Sequence, residues 1–459
     1  MHKKEYAMVK ISEFIIKGLH GYKDFNIKFK DNTLILVGEN GSGKTSVLRI
    51  FYYFITCQWQ KLRNIYFESA NIIINDKEYK VEHSNLIKYC DYLDESKKYF
   101  KYHNFSLSRE MEIEHDNDYD YEIEIPDFLK LDNADYPSFF KLFHNNYKKT
   151  TNYFENLTEN IKKSIDIKIL YLPTYRCIEQ ELSSILASSK IMPNNRRKNF
   201  RFTFNNEGSY FLELIQFGMS DVKKAKDNIL NNLKEFERTE LNKLTLEYLS
   251  DVVNQKYINI DINKIQNTPD DIINNLLNRI DDKLLDTLSK NRLNNTILNV
   301  KQNTNKDEYD YHTQIICHYV IKLLDFQNKL EEKERNIKEF CKVCNKYITD
   351  KEFVYESSDF SFLIRNKYSN DINIEFQNLS SGEKQIVSLF SQLYLTDEQN
   401  YFVIIDEPEL SLSVVWQKDF LVDIKAAAFC KGLFAVTHSP FIYNNELKDL
   451  TYGLGEFSR

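Results

Sequence analysis

Thr33-Leu34-Ile35-Leu36-Val37-Gly38-Glu39-Asn40-Gly41-Ser42-Gly43-Lys44-Thr45-Ser46 decides the fold class of this 459-residue chain. Its first five residues are nearly all apolar, as a buried strand requires, and Val47, Phe51 and Phe54 recur at helical spacing just beyond it. The connection from Gly38 to Thr45 has the pattern G-x-x-x-x-G-K-[ST], in the strand-to-helix context that this pattern needs. Glycines let successive backbone N–H groups curl around phosphate oxygens, and the helix N-terminus adds partial positive charge. Gly38, Asn40, Gly41, Ser42, Gly43, Lys44, Thr45 and Ser46 are therefore candidate ATP-binding residues. Lys44 reaches the β and γ phosphates, and Thr45 offers a hydroxyl to Mg²⁺.

Far along the chain, Tyr401-Phe402-Val403-Ile404-Ile405 is a second apolar strand, ending in the adjacent carboxylates Asp406 and Glu407. Neighbouring strand residues face opposite ways, so the two acids can have different tasks at the carboxyl edge, where open α/β sheets bind ligands. Asp406 is expected in the Mg²⁺ shell, and Glu407 is expected to deprotonate the attacking water. A third apolar run, Leu433 to Val436, leads into Thr437-His438-Ser439-Pro440, which makes His438 a candidate catalytic group. Leu379-Ser380-Ser381-Gly382-Glu383 precedes a helix with Ile386, Phe390 and Leu393 on one face. Ser380 and Glu383 fit the S-x-x-E pattern of an ordinary helix cap, while the Ser380 hydroxyl and the Gly382 N–H also suit a γ-phosphate.

Between these motifs the pattern changes. Ile72-Ile73-Ile74 meets the turn signal Asn75-Asp76, and Tyr121 to Ile125 alternates before Pro126, which predicts an antiparallel flank. Ile169 to Leu172 reads as a buried strand stopped by Pro173, and Ser188 to Asn206 reads as a loop carrying Arg196, Arg197, Lys198 and Arg201. From about Ser209 to Ile348 helical periodicity dominates: Val222, Ala225, Ile229, Leu233 and Phe236 share a face, and Ile316, Leu323, Leu330, Ile337 and Cys344 recur every seven residues. The expected division is 1–208 for the first half of an ATPase head, 209–348 for a helical insertion, and 349–459 for the second half.

Lys and Arg number 61 against 68 Asp and Glu, a net charge of −7, which argues against a surface uniformly coated for nucleic acid and leaves room for a local basic strip. No signal segment or membrane-length apolar run is present, so a cytoplasmic protein without a membrane partner is expected. The seven cysteines show no framework spacing and are expected to be reduced. Cys341 and Cys344 form a single CxxC whose heptad phase puts both thiols on the apolar seam, so they read as core and not as zinc ligands. Asp116, Asp118 and Asp120 read as an acidic loop, and Arg196 to Arg201 as a solvated one.

Taken together, these motifs resemble those of the ABC ATPases of the RecF, SMC and OLD group. Leu379 to Gln385 resembles the signature L-S-G-G-Q, with Ser381 in place of its first glycine and Glu383 in place of its glutamine. The resemblance implies an α/β fold: an ABC-type phosphate-loop head with an antiparallel β flank and a short coiled-coil-like insertion. It also implies an ATP sandwich in which Ser380, Gly382 and Glu383 of one copy face nucleotide held by another, with His438 as the switch at the γ-phosphate and Glu409-Leu410-Ser411-Leu412 as the D-loop. A helix of roughly 35 residues reaches only about 50 Å, too short for the long coiled coils of chromosome-structuring members.

Leu172 to Arg176, Asp406 to Ser413 and Thr437 to Ile442 are most similar to the stand-alone ATPases of anti-phage systems, the AriA type of PARIS first and the PtuA type of Septu next. That similarity implies a sensor and scaffold that forms homo-oligomers and controls a separate effector nuclease, Toprim-type in PARIS or HNH-type in Septu, in response to a phage-derived trigger. No nuclease chemistry is expected in this chain, since only about twenty residues follow the last motif. Many relatives carry His at the position of Ser413, so no role passes to Ser413. The alternative is a RecF-like ATPase of DNA repair, with DNA as the partner.

Overall fold

Apolar runs far apart in sequence become neighbours in one parallel sheet. The computed structural model describes residues 9–39, 41–110, 138–173, 211–213, 219–279, 286–302, 309–396, 400–410 and 412–458. They divide into two compact units, Met1–Gln216 with Glu398–Arg459, and Phe217–Asp397.

The first unit opens with β1 (Ile11–Leu19), β2 (Lys23–Lys28), β3 (Thr33–Val37) and α1 (Lys44–Ile55). It continues through β4 (Ser69–Ile74), β5 (Lys77–Glu82), α2 (His83–Glu110), α3 (Ser138–Ser164), β6 (Lys168–Leu172) and β7 (Phe211–Glu213). The second unit contains α4 (Met219–Val253), α5 (Asp270–Arg279), α6 (Thr287–Gln302), α7 (Tyr311–Tyr347), β8 (Lys351–Glu356), β9 (Ser361–Asn366), β10 (Ser369–Asn373) and α8 (Ser381–Tyr394). The chain then completes the first unit with β11 (Tyr401–Asp406), α9 (Val414–Ala426), β12 (Cys430–Thr437) and β13 (Thr451–Gly453).

The parallel sheet has the order β13-β3-β12-β11-β6-β7. Its central strand β11 is buried at every position, as expected of a strand covered on both faces. Gly432 is required where β12 enters the sheet, because a Cβ there would lie 2.3 Å from the Phe402 ring. A separate antiparallel sheet has the order β2-β1-β4-β5. The Asn75-Asp76 turn expected from sequence joins β4 to β5, with both residues at positive φ. Helix α1 fills the space between the sheets: the fully buried Phe51 ring lies 5.3 Å from Phe14 of β1 and 5.1 Å from Phe434 of β12. Removing such a ring typically costs about 3–5 kcal/mol, so Phe51 is a main anchor for the helix that carries Lys44 and Thr45.

Two stretches of the first unit differ from the sequence reading. Helix α2 occupies part of the stretch read as strand-rich, and α3 fills a stretch to which no element was assigned; Leu86, Tyr89 and Cys90 on one, and Phe154, Leu157 and Ile161 on the other, are buried at helical spacing. The Tyr89 and Phe154 rings stack at 4.6 Å. Residues 211–213, at the start of the stretch read as helical, instead form an edge strand parallel to β6. The expected strand at 121–125 lies outside the described residues, as do Asp116, Asp118, Asp120, Thr174 to Arg176 and Arg196 to Arg201.

In the second unit, α4 and α7 pack together, and α7 buries Leu323, Leu330, Ile337 and Cys344 of the seven-residue repeat, while Ile316 is half-buried. Asp251 fastens the end of α4 to α7 through His318 at 3.2 Å and Lys322 at 2.9 Å. Glu334 is fully buried on α7, which is tolerable because Lys338, Tyr355 and Ser357 all reach its carboxylate. Burial pushes the Cys341 thiol up to about 12 and raises that of Cys344. Residues 351–394 group with these helices instead of with the second half of the head: Phe340 of α7 packs edge-on against Phe353 of β8, and Tyr347 against Phe390 of α8. The segment that begins at 349 in the sequence division therefore splits near 397. Among the described residues, no helix is long and apolar enough to cross a membrane.

Candidate functional site

Strands β3, β12 and β11 lie side by side, so the three loops at their carboxyl ends meet. The first, after β3, turns into α1 through Gly41 and Gly43 at φ 78° and 108°. These left-handed conformations suit glycine, and Gly43 is the residue that caps α1. No acidic residue occupies the first turn of α1, so its N-terminal partial charge is not neutralised there. Gly38, Gly41, Ser42 and Gly43 form the loop, Lys44, Thr45 and Ser46 begin the helix, and Asn40 lies outside the described residues.

Lys44 is 4% exposed, and its ammonium donates to the Gly38 carbonyl at 2.7 Å, the Glu39 carbonyl at 2.8 Å and Ser42 Oγ at 3.4 Å. Burial lowers its pKa, against the opposing pull of Glu407, Asp406 and Glu409. A cation held this way, among carbonyls that can release it, is suited to an incoming phosphate. Thr45 Oγ1 donates to Asp406 Oδ1 at 3.2 Å, so the end of β11 and the start of α1 present a hydroxyl and a carboxylate together. Both are oxygen ligands of the type a small divalent cation prefers, so the residues fit Mg²⁺.

Glu407 follows immediately, at φ 50°. A left-handed non-glycine residue costs about 1–2 kcal/mol; here its N–H is held by the Val436 carbonyl at 2.8 Å. Burial raises the Glu407 pKa, helped by Asp406 and Glu409 and opposed by His438 and Lys44. His438 Nε2 stands 3.9 Å from Glu407 Oε1. The structure thus brings Lys44, Thr45, Asp406, Glu407 and His438 to one sheet edge.

Ser380, Gly382 and Glu383 belong to the other compact unit, at the start of α8. The capping box is formed: the Ser380 N–H donates to Glu383 at 2.7 Å, and the Glu383 N–H donates to Ser380 Oγ at 3.4 Å. Glu383 is 6% exposed and also pairs with Lys351 at 3.0 Å, so its carboxylate is occupied within its own unit. Ser413 caps α9 by accepting the Trp416 N–H.

Sequence reasoning missed several neighbours of the site. His20 Nε2, in the turn between β1 and β2, lies 3.1 Å from Ser46 Oγ, and Lys23 at the start of β2 donates to the Ser42 carbonyl at 3.0 Å. Glu409 had only a place in a loop, yet it accepts hydrogen bonds from the segment that carries His438. The one available signal was its spacing, two residues beyond Glu407.

Residues 9–443 match the family described as the AAA ATPase domain. No curated protein matches the chain. Among solved structures it is similar to a Smc head domain with an extended coiled coil, bound to the C-terminal domain of ScpA, from Pyrococcus furiosus, at 12% identity over 95% of this chain and 92% of that one, with a TM-score of 0.32. It is also similar to a Smc head domain with a coiled coil and joint from Pyrococcus yayanosii, at 11% identity over 95% and 94% of the two chains, with a TM-score of 0.29. At these scores the overlap in shape is loose.

Proposed function

The chain belongs to the AAA ATPase domain family, and from that premise we propose that it hydrolyses ATP in a site completed by a second copy, and that its nucleotide state controls a separate effector nuclease in anti-phage defence. The observation that carries the catalytic part is the meeting of Lys44, Thr45, Asp406, Glu407 and His438 at the carboxyl edge of the parallel sheet.

In this reading the loop N–H groups around Gly41 and Gly43 and the N-terminus of α1 bind the phosphates, and Lys44 exchanges its loop carbonyls for β and γ phosphate oxygens. Thr45 and Asp406 hold Mg²⁺, which supplies charge neutralisation at the phosphates. Glu407 takes the proton of the water that attacks the γ-phosphorus, leaving ADP and phosphate. Its raised pKa moves this carboxylate toward neutrality and makes it a stronger base than an ordinary glutamate. His438 donates toward the γ-phosphate. Ser380 and the Gly382 N–H of a second copy cap that phosphate from outside, while Glu383 serves by holding Ser380 in place.

The defence role rests on the likeness of Leu172–Arg176, Asp406–Ser413 and Thr437–Ile442 in sequence to stand-alone ATPases of such systems, with a Toprim or HNH nuclease as effector. Linkage demands that the effector bind one nucleotide state or trigger state differently from another, because equal affinity for both shifts nothing. The test is infection of cells carrying this gene with its neighbour, each gene alone, and the pair with Lys44→Ala or Glu407→Gln. Protection is expected from the intact pair only. Full protection by this gene alone, or undiminished protection by both variants, contradicts the defence role and favours independent DNA processing.

A further inference from the structure

We infer that Glu409 is a positioning residue: it fixes His438 opposite Glu407, and so governs turnover without itself holding nucleotide. This rests on the assignment of Glu407 and His438 to hydrolysis. Glu409 Oε2 accepts the Thr437 hydroxyl at 2.8 Å, while Oε1 accepts the backbone N–H of His438 at 2.8 Å and that of Ser439 at 3.2 Å. Three donors from three successive residues therefore converge on one carboxylate two positions beyond Glu407. Charge-assisted hydrogen bonds of this kind are the strong ones.

The His438 side chain is 31% exposed, and Glu409 holds the backbone N–H of the residue that carries it. A second tie lies beside the first. Ser439 Oγ donates to Gln417 Oε1 at 2.6 Å, and Gln417 Nε2 donates to the Leu412 carbonyl at 3.0 Å. The segment after β12 is thus fastened to the segment after β11 at Glu409 and again next to Leu412. Through these bonds a shift of Glu409 would carry the His438 backbone with it and alter the geometry between His438 and Glu407.

Two substitutions separate positioning from a merely structural role. Glu409→Ala removes all three acceptor contacts; displacing a catalytic group by about 1 Å can cost on the order of 10²-fold, so kcat is expected to fall by about that factor while ATP affinity stays near that of the parent and the variant remains fully folded at the assay temperature. Glu409→Gln keeps an oxygen for the two N–H groups and an NH₂ for Thr437 Oγ1, so most of the plateau kcat should return. An Ala variant with kcat within about two-fold of the parent, a loss matched by equal loss of ATP affinity or of folding, or a Gln variant as impaired as Ala would each overturn the inference. Glu407→Gln, assayed alongside, separates the two levels. If it is inactive while Glu409→Ala is normal, only the role of Glu409 fails; if it retains normal turnover, the hydrolysis assignment itself has failed.

Discussion

The corner where β3, β11 and β12 end and the corner where α8 begins both present hydrogen-bond donors at a helix N-terminus, but their polar groups are satisfied in different ways. At the first, Lys44 is desolvated, Glu407 has a raised pKa and a left-handed backbone, and His438 stops 3.9 Å short of Glu407. None of these features makes the unit more stable. At the second, Ser380 and Glu383 cap each other and Lys351 closes the set, an arrangement that helix stability alone would explain. Strain and desolvation at the first corner are therefore what support the hydrolysis proposed for it. The second is a rigid donor surface whose use depends on what is brought to it.

The largest expected effects fall at the strained corner. Glu407→Gln should keep nucleotide affinity and lose about 10²- to 10⁴-fold in kcat, the usual effect of removing a general base; steady-state turnover with isotopic ATP binding checks both. Lys44→Ala should act on binding instead. Charged hydrogen bonds contribute about 1.5–3 kcal/mol, so ATP affinity is expected to drop by about 10- to 150-fold. Equal affinity in both proteins would break the comparison at its root.

The smallest expected effect is on stability, and it belongs to the other corner. Glu383→Ala removes half of the capping box and leaves Lys351 without this partner, which should cost about 1–2 kcal/mol in denaturant unfolding. Glu407→Gln should change stability by less than about 0.5 kcal/mol. Reversed outcomes, with a destabilised Glu407→Gln and a fully stable but inactive Glu383→Ala, would assign chemistry to the wrong corner.

What could be read in the sequence follows the same physics. Strands β3, β11 and β12 were legible because parallel strands buried on both faces are written as unbroken apolar runs, and the Asn75-Asp76 turn because its positive φ favours those residue types. Helices α2 and α3 were obscured by stripes that mix Tyr89 and Cys90 with leucine, although the spacing of Phe154, Leu157 and Ile161 was available to find one of them. The grouping of residues 351–394 with the helices depends on ring contacts such as Tyr347 with Phe390, which no local pattern announces. Lys44, Thr45, Asp406 and Glu407 were legible as a set because their chemistry requires fixed residue types beside fixed elements. The tie from Glu409 to Thr437, 28 residues away, is a tertiary fact.

The central claim is that nucleotide held by Lys44 and Thr45 of one copy is capped by Ser380 and Gly382 of another. It is tested most directly by mixing two inactive variants, Lys44→Ala and Ser380→Arg, and measuring ATP turnover in heterodimers isolated with two different tags. One of the two composite sites then carries both lesions and the other carries neither, so the heterodimer is expected to recover up to about half of the parent activity. Purified heterodimers that remain as inactive as either variant alone would contradict shared sites.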